Sequence, residues 1–222
     1  MYIYHGSEKI IKRPICGYGN ARNDYGKGFY CTENLELAKE WACKSNTDGF
    51  ANCYSFDMEE LNVLNLNSGE YSILNWLALL TSNRTYWQRQ SIAEDAKIFL
   101  QENYLIDITN YDVIIGYRAD DSYFSFAQDF IMGVISYQKL SRAMRLGKLG
   151  EQIVLKSERA FERIEYIDCQ KASALEYYTK KNKRDTEARH SYLANKREIS
   201  NLDEIYILDI MRGRVTEDEL RI

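Results

Sequence analysis

Four of the chain's twelve glycines stand at positions 17, 19, 26 and 28, between two short aromatic runs, Tyr2-Ile3-Tyr4-His5 and Phe29-Tyr30-Cys31-Thr32. A stretch so rich in residues without a side chain does not sustain a helix, and the flanking runs carry the composition of strands. The N-terminal part must therefore fold as strand, glycine loop, strand, which excludes an all-helical chain. Gly6-Ser7 reads as the stop of the first strand. Thr32 reads as an N-cap, after which Leu35, Leu37, Ala38, Trp41 and Ala42 recur at helical spacing, an amphipathic helix of about three turns.

The remainder alternates between the two periodicities. Segments 51–57 and 61–66 read as strands, and from Tyr71 the apolar face of Ile73, Leu74, Trp76, Leu77 and Leu80 begins a helical insert that spans 70–105. A buried strand at 111–116 ends in the polar loop Arg118-Ala119-Asp120-Asp121, and two short helices follow within 124–146. Residues 152–155 form the last core strand, with a helical turn at 157–161 and an edge strand at 164–167. Beyond Gln170 the stretch 171–198 is locally basic and helical in character, and the apolar run 205–210 is expected to pack back on the core. The expectation is an α+β domain over 1–170, carrying the insert, and a basic helical extension over 171–222.

Composition narrows the function classes. The 222 residues can bury a sizeable core, and the longest apolar run, 73–80, is broken by Asn75 and is far shorter than the ~20 residues of a membrane span. No charged and apolar leader precedes the first strand signal, so the expected location is the cytosol. The five cysteines, Cys16, Cys31, Cys43, Cys53 and Cys169, are odd in number and include no Cys-x-x-Cys pair, which fits reduced, mostly buried thiols. With only His5 and His190 present, a histidine-rich metal site is not available, and no metal is expected. The net charge of −4 gives no global attraction to nucleic acid. Eighteen tyrosines must fill core or line a cleft.

Three distant segments carry chemistry together: Tyr4-His5-Gly6-Ser7, Tyr25-Gly26-Lys27-Gly28-Phe29-Tyr30-Cys31-Thr32 and Glu151-Gln152-Ile153-Val154-Leu155. Their order and spacing resemble the diphtheria-toxin and poly-ADP-ribose-polymerase branch of the ADP-ribosyltransferase superfamily. The chain is also similar to a bacterial domain family that begins Leu/Tyr-Tyr-His-Gly-Ser, whose members often accompany small antitoxin-like partners. The resemblance implies a split pair of antiparallel sheets around a cleft that binds NAD as substrate, and a toxin-like or defence-type effector that modifies a macromolecule, protein or nucleic acid. Under it His5 bonds the adenosine ribose, the Gly6 backbone pairs with the nicotinamide carboxamide, Ser7 assists, and Tyr30 stacks on the nicotinamide ring. Gly26 and Gly28 let the backbone approach the ligand or turn.

The late acidic position admits two readings. Glu151 aligns with the family's catalytic glutamate, and a shift of one residue puts Gln152 there. Strand neighbours face opposite ways, so only one can enter the cleft, with a slight preference for Gln152. Arg22 is placed to meet the pyrophosphate, Asp24 lies beside the glycine loop, and Asp120 and Asp121 are placed to orient substrate or acceptor. Each residue has a plainer role as well: a hydrogen-bonded structural histidine, a core tyrosine, glycines that merely turn, a surface glutamate. The rival function is therefore a catalytically silent transferase-like module that binds a nucleotide or a partner protein. An RNA 2′-phosphotransferase ranks third, because it calls for a more arginine-rich pocket. Cys31 lacks a second histidine to activate it, which argues against a Cys-His hydrolase.

Overall fold

Strand β1 (Tyr2–Ser7) continues through the expected stop at Gly6-Ser7. The glycine there serves a close approach: a Cβ at Gly6 would lie 2.1 Å from the Ala38 carbonyl oxygen of helix α1 (Leu35–Ala42), which packs directly on the strand. The helix is capped by Asn34 and not by Thr32, since Asn34 Oδ1 accepts from the Glu36 and Leu37 amides while Thr32 Oγ1 accepts only from Asn34 N–H. The computed structural model describes all residues except 85–90, 120, 147–149, 200, 202 and 221–222.

Strand β1 pairs with β3 (Gly49–Phe56), and β3 with β7 (Ile164–Ala172), in an antiparallel sheet of order β1-β3-β7. The second sheet has the order β2-β6-β5-β4, built from β2 (Phe29–Cys31), β6 (Glu151–Leu155), β5 (Val113–Tyr117) and β4 (Val63–Asn65). Here the expectation of two antiparallel sheets needs correction, because β4 and β5 run parallel. Parallel neighbours need a long crossover, and the helical insert, α2 (Ile73–Asn83) and α3 (Ser91–Tyr104), supplies it.

A bridge between Tyr4 and Thr32 joins the two sheets. Their facing sides bury one apolar cluster that includes Ile3, Phe29, Tyr54, Val113, Ile153 and Leu155. The other side of the second sheet presents Leu64, Ile114 and Val154 to a larger core built with Trp76, Leu77 and Phe130. Alternation along β6 therefore assigns Gln152 to the helical side with Val154, and Glu151 to the opposite side with Ile153 and Leu155.

Helices α4 (Asp121–Ile131), α5 (Tyr137–Ala143) and α6 (Glu158–Glu162) complete the part before β7, which extends two residues past the expected boundary at 170. The basic stretch is one long helix, α7 (Ala174–Arg197). It docks on α1 through Arg184, which donates to Glu40, and on α4 through Lys196, 2.7 Å from Asp129, and Tyr192, whose ring stacks on Phe126 at 3.9 Å. As expected, the 205–210 run packs back: Ile207 and Ile210 of α8 (Ile207–Met211) are buried in the larger core. All five cysteines are free, with Cys31, Cys43 and Cys53 buried. No described helix is long and apolar enough to cross a membrane.

Candidate functional site

The site is built where the glycine loop returns to β2. Tyr30 pairs with Val154 across the β2–β6 ladder and turns its ring to the same side as Gln152. Its hydroxyl donates to the Gly26 carbonyl at 2.7 Å and accepts from the Tyr25 amide at 3.0 Å. Both hydrogen-bonding directions are thus spent on the loop, and the ring is fixed before any ligand arrives. Burial pushes the phenol well above its ordinary pKa, so Tyr30 acts as a neutral surface and not as a base. Lys156 secures the loop from the other strand by donating to the Tyr25 and Lys27 carbonyls, and Tyr25 donates to the Tyr117 carbonyl at 2.7 Å.

Gln152, 3% exposed, donates from Nε2 to Asp24 Oδ2 at 3.0 Å. The Tyr117 carbonyl lies 3.5 Å from the same nitrogen. Both neighbours accept, which fixes the amide orientation: Nε2 faces Asp24, and Oε1 is the atom the side chain can offer to a ligand. Asp24, 4% exposed, also accepts from the Ala119 amide at 2.8 Å, and its Oδ1 lies 2.6 Å from Arg84 Nη2. That ion pair is close but poorly aligned, so Asp24 Oδ1 and Arg84 Nε are buried polar atoms without a hydrogen bond among the described residues. Asn23, Asp24, Tyr30, Arg84, Arg118 and Gln152, with Ala119, line one cavity of about 170 Å³.

The expected residues therefore converge in part. Tyr30 and Gln152 share the cavity. Glu151 does not: it lies on the other face of β6, exposed, with Oε1 accepting from Asn67 Nδ2 at 2.7 Å, and it borders a separate hollow with Thr32 and Asn34. Of the two, Gln152 is the one on the Tyr30 side of β6. His5 touches the site through the backbone. Its Nδ1 lies 2.7 Å from the Tyr30 carbonyl, and its ring stacks on Phe29 with centroids 4.3 Å apart. A carbonyl only accepts, so Nδ1 carries the proton and Nε2 is left as an acceptor. Burial lowers the His5 pKa and favours the neutral ring, and the bond to the Tyr30 carbonyl opposes that shift.

Gly6 is occupied by the approach of α1, as described, and Ser7 Oγ accepts from the Lys9 amide at 3.2 Å. Gly28 serves the sheet: a Cβ would lie 2.6 Å from Val154 Cγ1 and 3.0 Å from the Leu155 carbonyl oxygen. Arg22 is exposed, with its backbone amide donating to Asn20 Oδ1, and it borders none of the cavities described here. The cations at the site are Arg84 and Arg118, which sequence reasoning passed over. Arg118 begins the polar loop after β5, and its guanidinium lies 3.7 Å from the ring centroid of Trp41, which holds it by a cation–π contact. Arg84 follows α2 with no motif around it, and only folding brings it to Asp24. Asp120 and the side chain of Asp121 lie outside the described residues. Cys31 is fully buried, and burial raises its thiol pKa well above the ordinary value, away from nucleophilic use. Among the described residues no group of three or more His, Cys, Asp or Glu is placed to hold a metal ion.

A family model described as "Protein of unknown function (DUF3990)" matches residues 1–166. The chain belongs to that family. The match takes in all three motif segments and both sheets up to the first residues of β7, and α7 and α8 lie beyond it. No curated protein and no solved structure matches the chain.

Proposed function

We propose that the chain is an NAD-dependent ADP-ribosyltransferase that acts on a macromolecule as a bacterial effector, with its reacting end in the cavity of Tyr30 and Gln152. The observation that carries this reading is the shared cavity itself: an immobilised phenol ring from β2 and an oriented amide from β6, beside a buried carboxylate and two guanidinium groups. The resemblance of the three motif segments supplies the chemistry, and the geometry is compatible with it.

The reaction breaks the bond between the nicotinamide nitrogen and ribose C1′, and the electron pair leaves with nicotinamide. An acceptor oxygen or nitrogen then forms the new bond to C1′ and releases its proton. The transition state is close to a ribosyl cation, so the protein's task is to hold the ring, orient the ribose and oppose positive charge. Tyr30 offers a fixed face for the nicotinamide. Gln152 Oε1 accepts from a ribose hydroxyl, as a glutamate would. An amide brings no charge, and Asp24, in contact with that amide, brings it. Arg84 and Arg118 suit the pyrophosphate, which guanidinium groups meet with paired bonds. His5 contributes through the backbone, its neutral ring holding the Tyr30 carbonyl through Nδ1.

Incubation with labelled NAD and a cell lysate tests this: label passes to a macromolecule or nicotinamide is released, and Tyr30→Ala abolishes both. Nuclease and protease digestion of the product then assigns the acceptor. A silent nucleotide-binding module is the second reading, favoured by the position of Glu151 outside the cavity. It requires NAD to bind with neither label transfer nor nicotinamide release.

A further inference from the structure

The cavity of Tyr30 and Gln152 is too small for a whole dinucleotide, and it continues into a second one of about 340 Å³. The two share Arg84, Arg118 and Ala119. The second cavity lies between the core and α7, whose Lys181, Arg184 and Arg189 face Arg84 and Arg118 across it, with Asp185 the only carboxylate in its lining among the described residues. In a chain of net charge −4, five cations line this one concavity, and with Asp24, Glu40 and Asp185 paired to three of them the local balance is still positive. Low-dielectric walls with an excess of one charge focus the field on what enters.

The cations are positioned as a built wall. Arg184 is held by Glu40, with Nε at 2.9 Å, and Arg189 by Asp185 at 2.8 Å. A guanidinium has five N–H groups, so a single carboxylate partner leaves donors for a second anion. Arg84 Nε, buried and without a hydrogen bond among the described residues, is a donor that a ligand would satisfy. Two aromatic residues, Tyr123 and Tyr178, line the same cavity and give a flat ring something to lie against. The volume is near the lower end of the ~300–1,000 Å³ of small-molecule sites, which favours a nucleotide-sized ligand over a polymer.

We infer that the α7 cavity is a nucleoside-diphosphate site, formed jointly by the core and by a helix outside the family match, and that it takes the adenosine-diphosphate half of the dinucleotide. The second clause rests on the NAD reading, and the first does not. The arginines of the core grip the phosphate nearest the reacting cavity, and α7 grips the outer phosphate.

The test is calorimetric titration of the full-length protein with ADP and with adenosine, at low and at moderate salt. ADP is expected to bind, adenosine at least tenfold more weakly, and the ADP affinity is expected to fall with added salt. Both Lys181 and Arg189 are surface positions on α7, so Lys181→Ala with Arg189→Ala should fold and weaken ADP at least tenfold. Lys183→Ala with Arg197→Ala removes the same charge from α7 outside the cavity and should leave ADP binding unchanged. Absence of ADP binding, or equal loss in the cavity variant and in Lys183→Ala with Arg197→Ala, overturns the inference. Failure of the NAD reading registers separately: ADP binds through α7 while labelled NAD gives no transfer and no nicotinamide. Transfer from NAD with ADP binding indifferent to Lys181 and Arg189 leaves the reaction standing and removes the site.

Discussion

At the scale of single residues, the amide that lines the Tyr30 cavity has a carboxylate directly behind it. Gln152 and Asp24 form a unit in which Asp24 fixes the amide and carries the charge, so Asp24 is a positioning residue. Asp24→Asn removes the charge and lets the amide turn over. Turnover of NAD should fall by at least about tenfold, about 1.4 kcal/mol, with a smaller change in KM, as steady-state nicotinamide release would show. Gln152→Glu should not restore a stronger enzyme, because two carboxylates would then meet at a buried contact, and thermal stability should fall. His5 gives a pH signature. Its pKa is lowered in the folded protein, so the unfolded chain binds the extra proton first on acidification. The stability it contributes is complete above the unfolded value of about 6.5 and is lost as pH falls toward the lower folded value. Denaturation midpoints measured from pH 8 to 5 should decline below that point, and His5→Gln should flatten the decline. His5, Tyr30 and Gln152 are legible in the sequence because each sits in a strand motif whose neighbours fix its register. Arg84 and Trp41 are not, because their partners Asp24 and Arg118 are remote in the chain and meet them only in the fold.

At the scale of elements, strand alternation decides which chemistry faces which core. The 3.6 and 2.0 periodicities disclose the insert, the basic helix and the strands, and they place Gln152 and Glu151 on opposite faces before any contact is known. They do not disclose that β4 and β5 are parallel, which depends on how the insert returns, nor that β1 continues through Gly6, which depends on the packing of α1. The β2–β6 pair has the least room for error. Gly28→Ala would place a methyl 2.6 Å from Val154 Cγ1 and 3.0 Å from the Leu155 carbonyl, and β2 would have to shift relative to β6. Overpacking of this kind costs about 1–3 kcal/mol, read from the denaturant midpoint. Because Tyr30 and Gln152 are carried by these two strands, NAD turnover should fall further than stability alone accounts for.

At the scale of the whole molecule, the two apolar clusters hold the sheets and the helical layer separately, and the candidate site lies where elements of the matched region meet α7. A ligand that spans the two connected cavities would touch β2, β6, the loop after β5 and α7 together, and so would stabilise the folded chain as a unit. At NAD concentrations about a hundredfold above Kd, linkage adds about 2.7 kcal/mol. For a domain of this size that corresponds to a rise in Tm of about 5–10 °C, measurable by differential scanning fluorimetry. ADP, reaching only the α7 cavity, should bind more weakly than NAD and so raise Tm by less at the same ligand concentration. Gln152→Ala should reduce the NAD shift while sparing the ADP shift, and Lys181→Ala with Arg189→Ala should reduce both. A Tm unmoved by NAD in the wild-type chain, while ADP raises it, would mean that the α7 cavity takes ADP but not the dinucleotide and would overturn the NAD reading of that site.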